Sequence, residues 1–138
     1  MIAQPLFVFL VFSGIAALPA QDCLHRANAA EEQQARKRAA LSAARQVNTL
    51  QANGAVKKSG TYLSQLEMAE AHAEYAKQRA NATALVFDRS GEIIPGWQLT
   101  FDRTERGYWF MIKDRTDPCG FAYVSNENGV IYAAEPIR

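Results

Sequence analysis

The side chains capable of chemistry are few and scattered. His72 lies two residues from Glu70 and two from Glu74 in a helix-forming stretch. On a helix that spacing turns both carboxylates away from the imidazole, so no oriented nucleophile, base and orienter set forms. His25, close to Cys23, has no third member either, and His72 reads as an exposed helix histidine. Asp114, Asp117, Asn126, Glu127 and Asn128 fall in two turn-forming stretches near the carboxyl end. Oxygen-bearing turns of this kind can hold Ca²⁺, yet the spacing is not that of an EF-hand, and Asp and Asn are ordinary turn residues. Trp97, Tyr108, Trp109 and Phe110 have the size to line a pocket, and sheet packing accounts for them equally well. The sequence therefore assigns no catalytic, cofactor-binding or metal-binding residue, and the chain reads as a non-enzymatic protein without a cofactor.

The two cysteines, Cys23 and Cys119, lack metal-site spacing and form no CxxC pair. An intramolecular bridge between them would close a loop of about a hundred residues, worth up to ~4.7 kcal/mol in the chain-entropy model. Free or intermolecular thiols are the alternative. The question is one of compartment, because disulfides persist in oxidising surroundings. Met1 to Ala20, MIAQPLFVFLVFSGIAALPA, carries no charged side chain, and its apolar stretch from Leu6 to Leu18 has the length of a signal-peptide core. A membrane-spanning helix usually needs about 20 apolar residues. Small residues up to Ala20 suit cleavage there, which predicts residues 1–20 as a signal peptide and a mature start at Gln21. An uncleaved anchor is the alternative, with the protein then held at a membrane and facing outward. The expected location is periplasmic or secreted.

The elements behind these residues follow from pattern. From Leu24 to about Val56 the chain is rich in Ala, Glu, Gln, Arg and Lys with no proline, which predicts one long helix. Ala40, Ala43, Ala44, Val47 and Leu50 recur at three- and four-residue steps and share a face, with Arg36, Lys37, Arg38 and Arg45 on the other side. The half after Ala39 is expected to pack on the domain's own sheet and residues 24–38 to project. The run Arg36–Arg38 is a weak candidate for anionic headgroups. Gly54 and Gly60 read as a helix stop and connection, and a second helix is predicted from Leu63 to about Arg79, with Leu63, Leu66, Met68, Ala71 and Tyr75 as its apolar contacts. Asn81 opens a formal glycosylation sequon, relevant only in a eukaryotic source.

Past Thr83 the chain turns to branched and aromatic residues broken by short turns, which predicts antiparallel strands across 84–134. Strand positions fall at Leu85–Phe87, Ile93–Ile94, Gln98–Phe101, Tyr108–Ile112, Phe121–Val124 and Val130–Tyr132. Tyr108, Phe110 and Ile112 face one way and Trp109 and Met111 the other, while Gly129 can supply the positive φ that closes the last hairpin. The fold class is α+β, with a long N-terminal helix and a shorter second one packed on a C-terminal antiparallel sheet, residues 21–138 forming one domain. A net charge of +1, from 15 basic and 14 acidic side chains, gives no basic field for nucleic acid.

Two stretches resemble the type IV pilin and pseudopilin family. Ala39 to Met68 is similar to the end of the pilin α1 helix and the approach to the globular head, and ARQVNTLQ, Ala44 to Gln51, to the Leu-Arg-x-Ile-Asn-Thr-Ala runs of that family. Gly107 to Arg138 is similar to the terminal strands of such heads, with their Asp/Asn-Glu-x-Gly-Val-Ile hairpin. The prepilin leader is missing: Gly14 is followed by IAALPAQD, with no glutamate five residues on and no apolar half-helix to pack a filament core. The resemblance implies a pilin-like head, exported and acting through its surface on a protein partner in a bacterial cell envelope, in assembly, adhesion or secretion. A small-molecule or Ca²⁺-binding extracytoplasmic module is the first alternative and an N-terminally anchored protein with a globular head the second; a membrane is involved only if the leader is retained.

Overall fold

A computed structural model of the chain describes residues 23–24 and 30–135. The expected leader, the Gln21 start and His25 lie outside the described residues. No helix among the described residues is long and apolar enough to cross a membrane.

Helix α1 runs Glu31–Lys57. It starts at Glu31 because Glu31 and Glu32 set negative charge against the helix's positive end, and the Gln33 side-chain oxygen accepts the Ala30 amide N–H at 3.1 Å. Gly54 does not stop it. The helix continues to Lys57 because Leu63, returning after the turn, packs directly on the Gly54 backbone: a Cβ built there would lie 2.3 Å from the Leu63 Cγ. The Gln51 amide locks this return, donating to the Leu63 carbonyl at 2.9 Å while its oxygen accepts the Leu63 N–H at 2.8 Å. Helix α2, Gln65–Gln78, begins with a capping box in which Ser64 Oγ accepts the Glu67 N–H and Glu67 accepts the Ser64 N–H at 2.7 Å. Of its expected apolar contacts, Met68 is buried, but Leu66 is 71% exposed because it points away from α1.

Five strands follow: β1 Glu92–Ile94, β2 Trp97–Arg103, β3 Tyr108–Asp114, β4 Ala122–Asn126 and β5 Ile131–Ala134. They form one antiparallel sheet in sequence order, the simplest result of short connections. The α+β arrangement is the one the sequence predicts. Residues 85–87 are the exception: they form no strand, although the Val86 N–H donates to the Ile93 carbonyl at 2.9 Å and so lies along the outer side of β1. Gly129, with φ +74°, closes the β4–β5 hairpin in the left-handed conformation that favours glycine.

The small-residue face of α1 lies against the inner sheet face. Ala40, Ala43, Ala44 and Val47 are wholly buried with Trp97, Phe110, Ile112 and Phe121, so small side chains on the helix meet large ones on the sheet. Polar groups fix the position of the helix on this surface. Asn48 Nδ2 donates to Ser125 Oγ at 2.9 Å and to the Gly129 carbonyl at 3.1 Å, while Tyr108 donates its hydroxyl to Asn48 Oδ1 at 2.9 Å.

Gly54→Ala would stabilise an exposed helix by about 1 kcal/mol. Here the overlap with Leu63 is expected to destabilise the protein by about 1–3 kcal/mol, read from the urea midpoint, and a raised midpoint would contradict this packing.

Candidate interaction surface

Cys23 and Cys119 are joined in a disulfide, with Cα atoms 5.5 Å apart. The bridge belongs to a tightly bonded corner built on the β3–β4 connection. Asp114, 1% exposed, ends β3 facing inward; its Oδ2 accepts from Arg36 at 2.5 Å, and its Oδ1 accepts from Thr116 N, Thr116 Oγ1 and Asp117 N at 2.7, 2.9 and 3.0 Å. Asp117 accepts the Leu24 N–H at 3.0 Å on one oxygen and the Phe121 N–H at 2.7 Å on the other. Leu24 is buried in the core, and Lys37 lies over the Phe121 ring at 4.8 Å from its centroid.

This corner corrects two expectations. Residues 24–38 do not project as a whole: Leu24 is buried and Arg36 and Lys37 are held at the sheet's end, with Arg36 bonded to Asp114, although Glu31, Glu32, Gln34 and Ala35 are exposed. The five oxygen-bearing residues do not converge either. Asp114 and Asp117 precede β4, whereas Asn126 ends it and Glu127 and Asn128 follow, at the far end of a five-residue strand that spans roughly 16 Å. Among the described residues no group of three or more His, Cys, Asp or Glu is arranged to hold a metal ion, and both aspartates already receive protein donors.

His72 is buried rather than exposed. Its Nε2 donates to the Thr83 carbonyl at 3.0 Å, and its ring meets Phe87 edge-on at 6.0 Å between centroids. It ties α2 to the segment entering the sheet. The four aromatics line no common pocket: Trp97, Tyr108 and Phe110 point into the core, and Trp109 points out. Tyr108 packs edge-on to Tyr62 at 5.0 Å, and burial first, then Tyr62 and Glu127, push its phenol up to about 12.

A further surface feature is the outer face of the sheet. Antiparallel sheets packed on one side usually present polar residues on the other. In this sheet the outward register aligns Thr100, Met111, Val124 and Tyr132 across four strands, with Trp109 in the neighbouring rung between Asp102 and Asn126. Trp109 is 42% exposed and Tyr132 61%. An apolar row thus runs from the middle of the sheet to its β5 edge, bounded by Asp102 and Asn126 on one side and Gln98 and Lys113 on the other. Alternation in β3 places Trp109 and Met111 outward from sequence alone. Val124 and Tyr132 join them only through register, which no local pattern carries, and the Arg36–Asp114 pair is equally invisible across 78 residues.

Compared with known proteins, the chain matches no family model, no curated protein and no solved structure.

Arg36→Met is expected to lower stability by about 1.5–3 kcal/mol, since it takes a charged partner from a buried carboxylate; an unchanged denaturation midpoint would contradict that role. Ultraviolet titration should show Tyr108 ionising near pH 12, and Tyr108→Phe should remove that late step. Because the folded pKa lies above that of a free phenol, about 10, the stabilisation is complete below pH 10 and is lost as the pH rises towards 12. Ionisation of all five tyrosines together near pH 10 would refute it.

Proposed function

We propose that this is a non-enzymatic exported protein with a pilin-like head that acts on a protein partner in a bacterial cell envelope through the outer face of its sheet. The observation that carries the reading is the apolar row Met111, Val124 and Tyr132 with Trp109 beside it, an aromatic-rich, weakly charged patch with a polar rim, the composition typical of a protein contact. The disulfide agrees with an oxidising compartment. The order of a long helix followed by an antiparallel sheet agrees with a pilin-like head, and filament packing by the usual route is not part of the proposal. His72 and the carboxylates of Asp114 and Asp117, the latter two weighed above as Ca²⁺ ligands, are engaged in structural bonds, which favours a protein-contact role over the ion-binding alternative.

Protein recovered from cells should start at Gln21, fractionate outside the cytosol and have a non-reducing mass two hydrogens below that of the dithiol. Recovery of the intact chain from the cytosol with free thiols would end this reading, whereas an intact leader in the membrane fraction would select the anchored form. Trp109→Ser with Met111→Ser should reduce retention in the envelope fraction while leaving thermal stability unchanged.

A further inference from the structure

The two edges of the sheet differ. The β1 edge is guarded in the manner natural proteins use against edge-to-edge pairing: the strand has three residues, its register shifts between Glu92 and Ile94, Pro95 follows it, and the Val86 N–H already bonds the Ile93 carbonyl from outside. The β5 edge is less guarded: Glu135 and Pro136 follow it in sequence, but among the described residues its register is unbroken and no backbone bond reaches it from outside. Ile131–Ala134 contains no charge and no proline, pairs in unbroken register with β4, and has no further strand beyond it among the described residues.

We infer that the β5 edge is a self-association site at which a second copy of this chain adds its own β5 antiparallel, making one continuous sheet from two. The occupant is a second copy because the strand is self-complementary. It is uncharged, so the two copies bring no like charges into opposition, and a twofold axis normal to the sheet makes equivalent strands antiparallel. That axis keeps the outer faces of both copies on the same side, so outward residues must oppose outward residues and Tyr132 faces Tyr132 or Ala134 of the second copy. The row Met111, Val124, Tyr132 then continues into the same row reversed, doubling the apolar strip. The helices permit this arrangement. Helix α1 lies over β4, bonded to it through Asn48 and Ser125, so the two α1 helices would be three strand spacings apart, about 14 Å, beyond the ~8–10 Å of packed helices. Four residues of new ladder bury little, so the association is weak and concentration-dependent. It concerns the sheet's edge rather than its face, and holds or fails independently of the envelope partner proposed above.

The test is sedimentation equilibrium on the oxidised chain, with amide hydrogen exchange at low and high protein concentration. Expected are a monomer–dimer equilibrium, slower exchange in 131–134 at high concentration, and, for Tyr132→Lys, about tenfold or more weaker association with an unaltered melting temperature. Trp109→Ser, which removes a side chain from the face and not the edge, should leave the dimer intact. A strictly monomeric wild-type chain, a dimer without concentration-dependent protection of β5, or a dimer that Tyr132→Lys leaves unchanged would each overturn the inference. If Tyr132→Lys fails to fold, Ala134→Lys takes its place with the same expected result.

Discussion

Everything in this fold depends on fastening the front of the chain to the far end of the sheet. The Cys23–Cys119 bridge spans 96 residues of sequence, and Asp117 and Asp114 hold the same junction by accepting Leu24 and Arg36. In the chain-entropy account a covalent loop of that size is worth roughly 4–5 kcal/mol, a large share of the ~5–15 kcal/mol by which small domains are stable. The share matters because α1 presents mainly alanine to the sheet, and each alanine buries little area. A small-residue helix obtains close approach at the expense of hydrophobic area, and the clamp makes up the difference.

The clamp also sets the molecule's asymmetry. With α1 fixed across the inner face and α2 against α1, the polar and titratable groups that might have done chemistry are drawn inward or into the loops: His72 onto Thr83, Asp114 onto Arg36, Tyr108 onto Asn48. The side of the sheet facing away from the helices carries Trp109, Met111, Val124 and Tyr132. The contact proposed above therefore falls on a surface that the core does not need.

The sequence made legible what repeats locally. Helical composition located α1 and α2, alternation in β3 sorted Phe110 from Trp109, and turn residues marked the hairpins, Gly129 included. Its misreadings share a physical cause, since each depended on a partner distant in the chain. Gly54 looked like a stop because nothing nearby shows that Leu63 needs the space. Arg36 and Lys37 looked like a projecting basic surface because Asp114 and Phe121 lie far along the chain. His72 looked exposed because Thr83 and Phe87 belong to the segment that folds back over it. Residues 85–87 had strand composition but only one ladder bond to β1. The outer apolar face was half visible, through Trp109 and Met111; the other half lay in the register of β4 and β5.

The most direct test of this account is the denaturant stability of the oxidised protein against the same protein with both thiols reduced and blocked. The clamp predicts a loss of about 2–5 kcal/mol on reduction, with faster amide exchange at Leu24 and along the first turns of α1. Coincident unfolding curves for the two forms, with exchange at Leu24 unaltered, would show that the front of the chain is held without the bridge and would contradict the account.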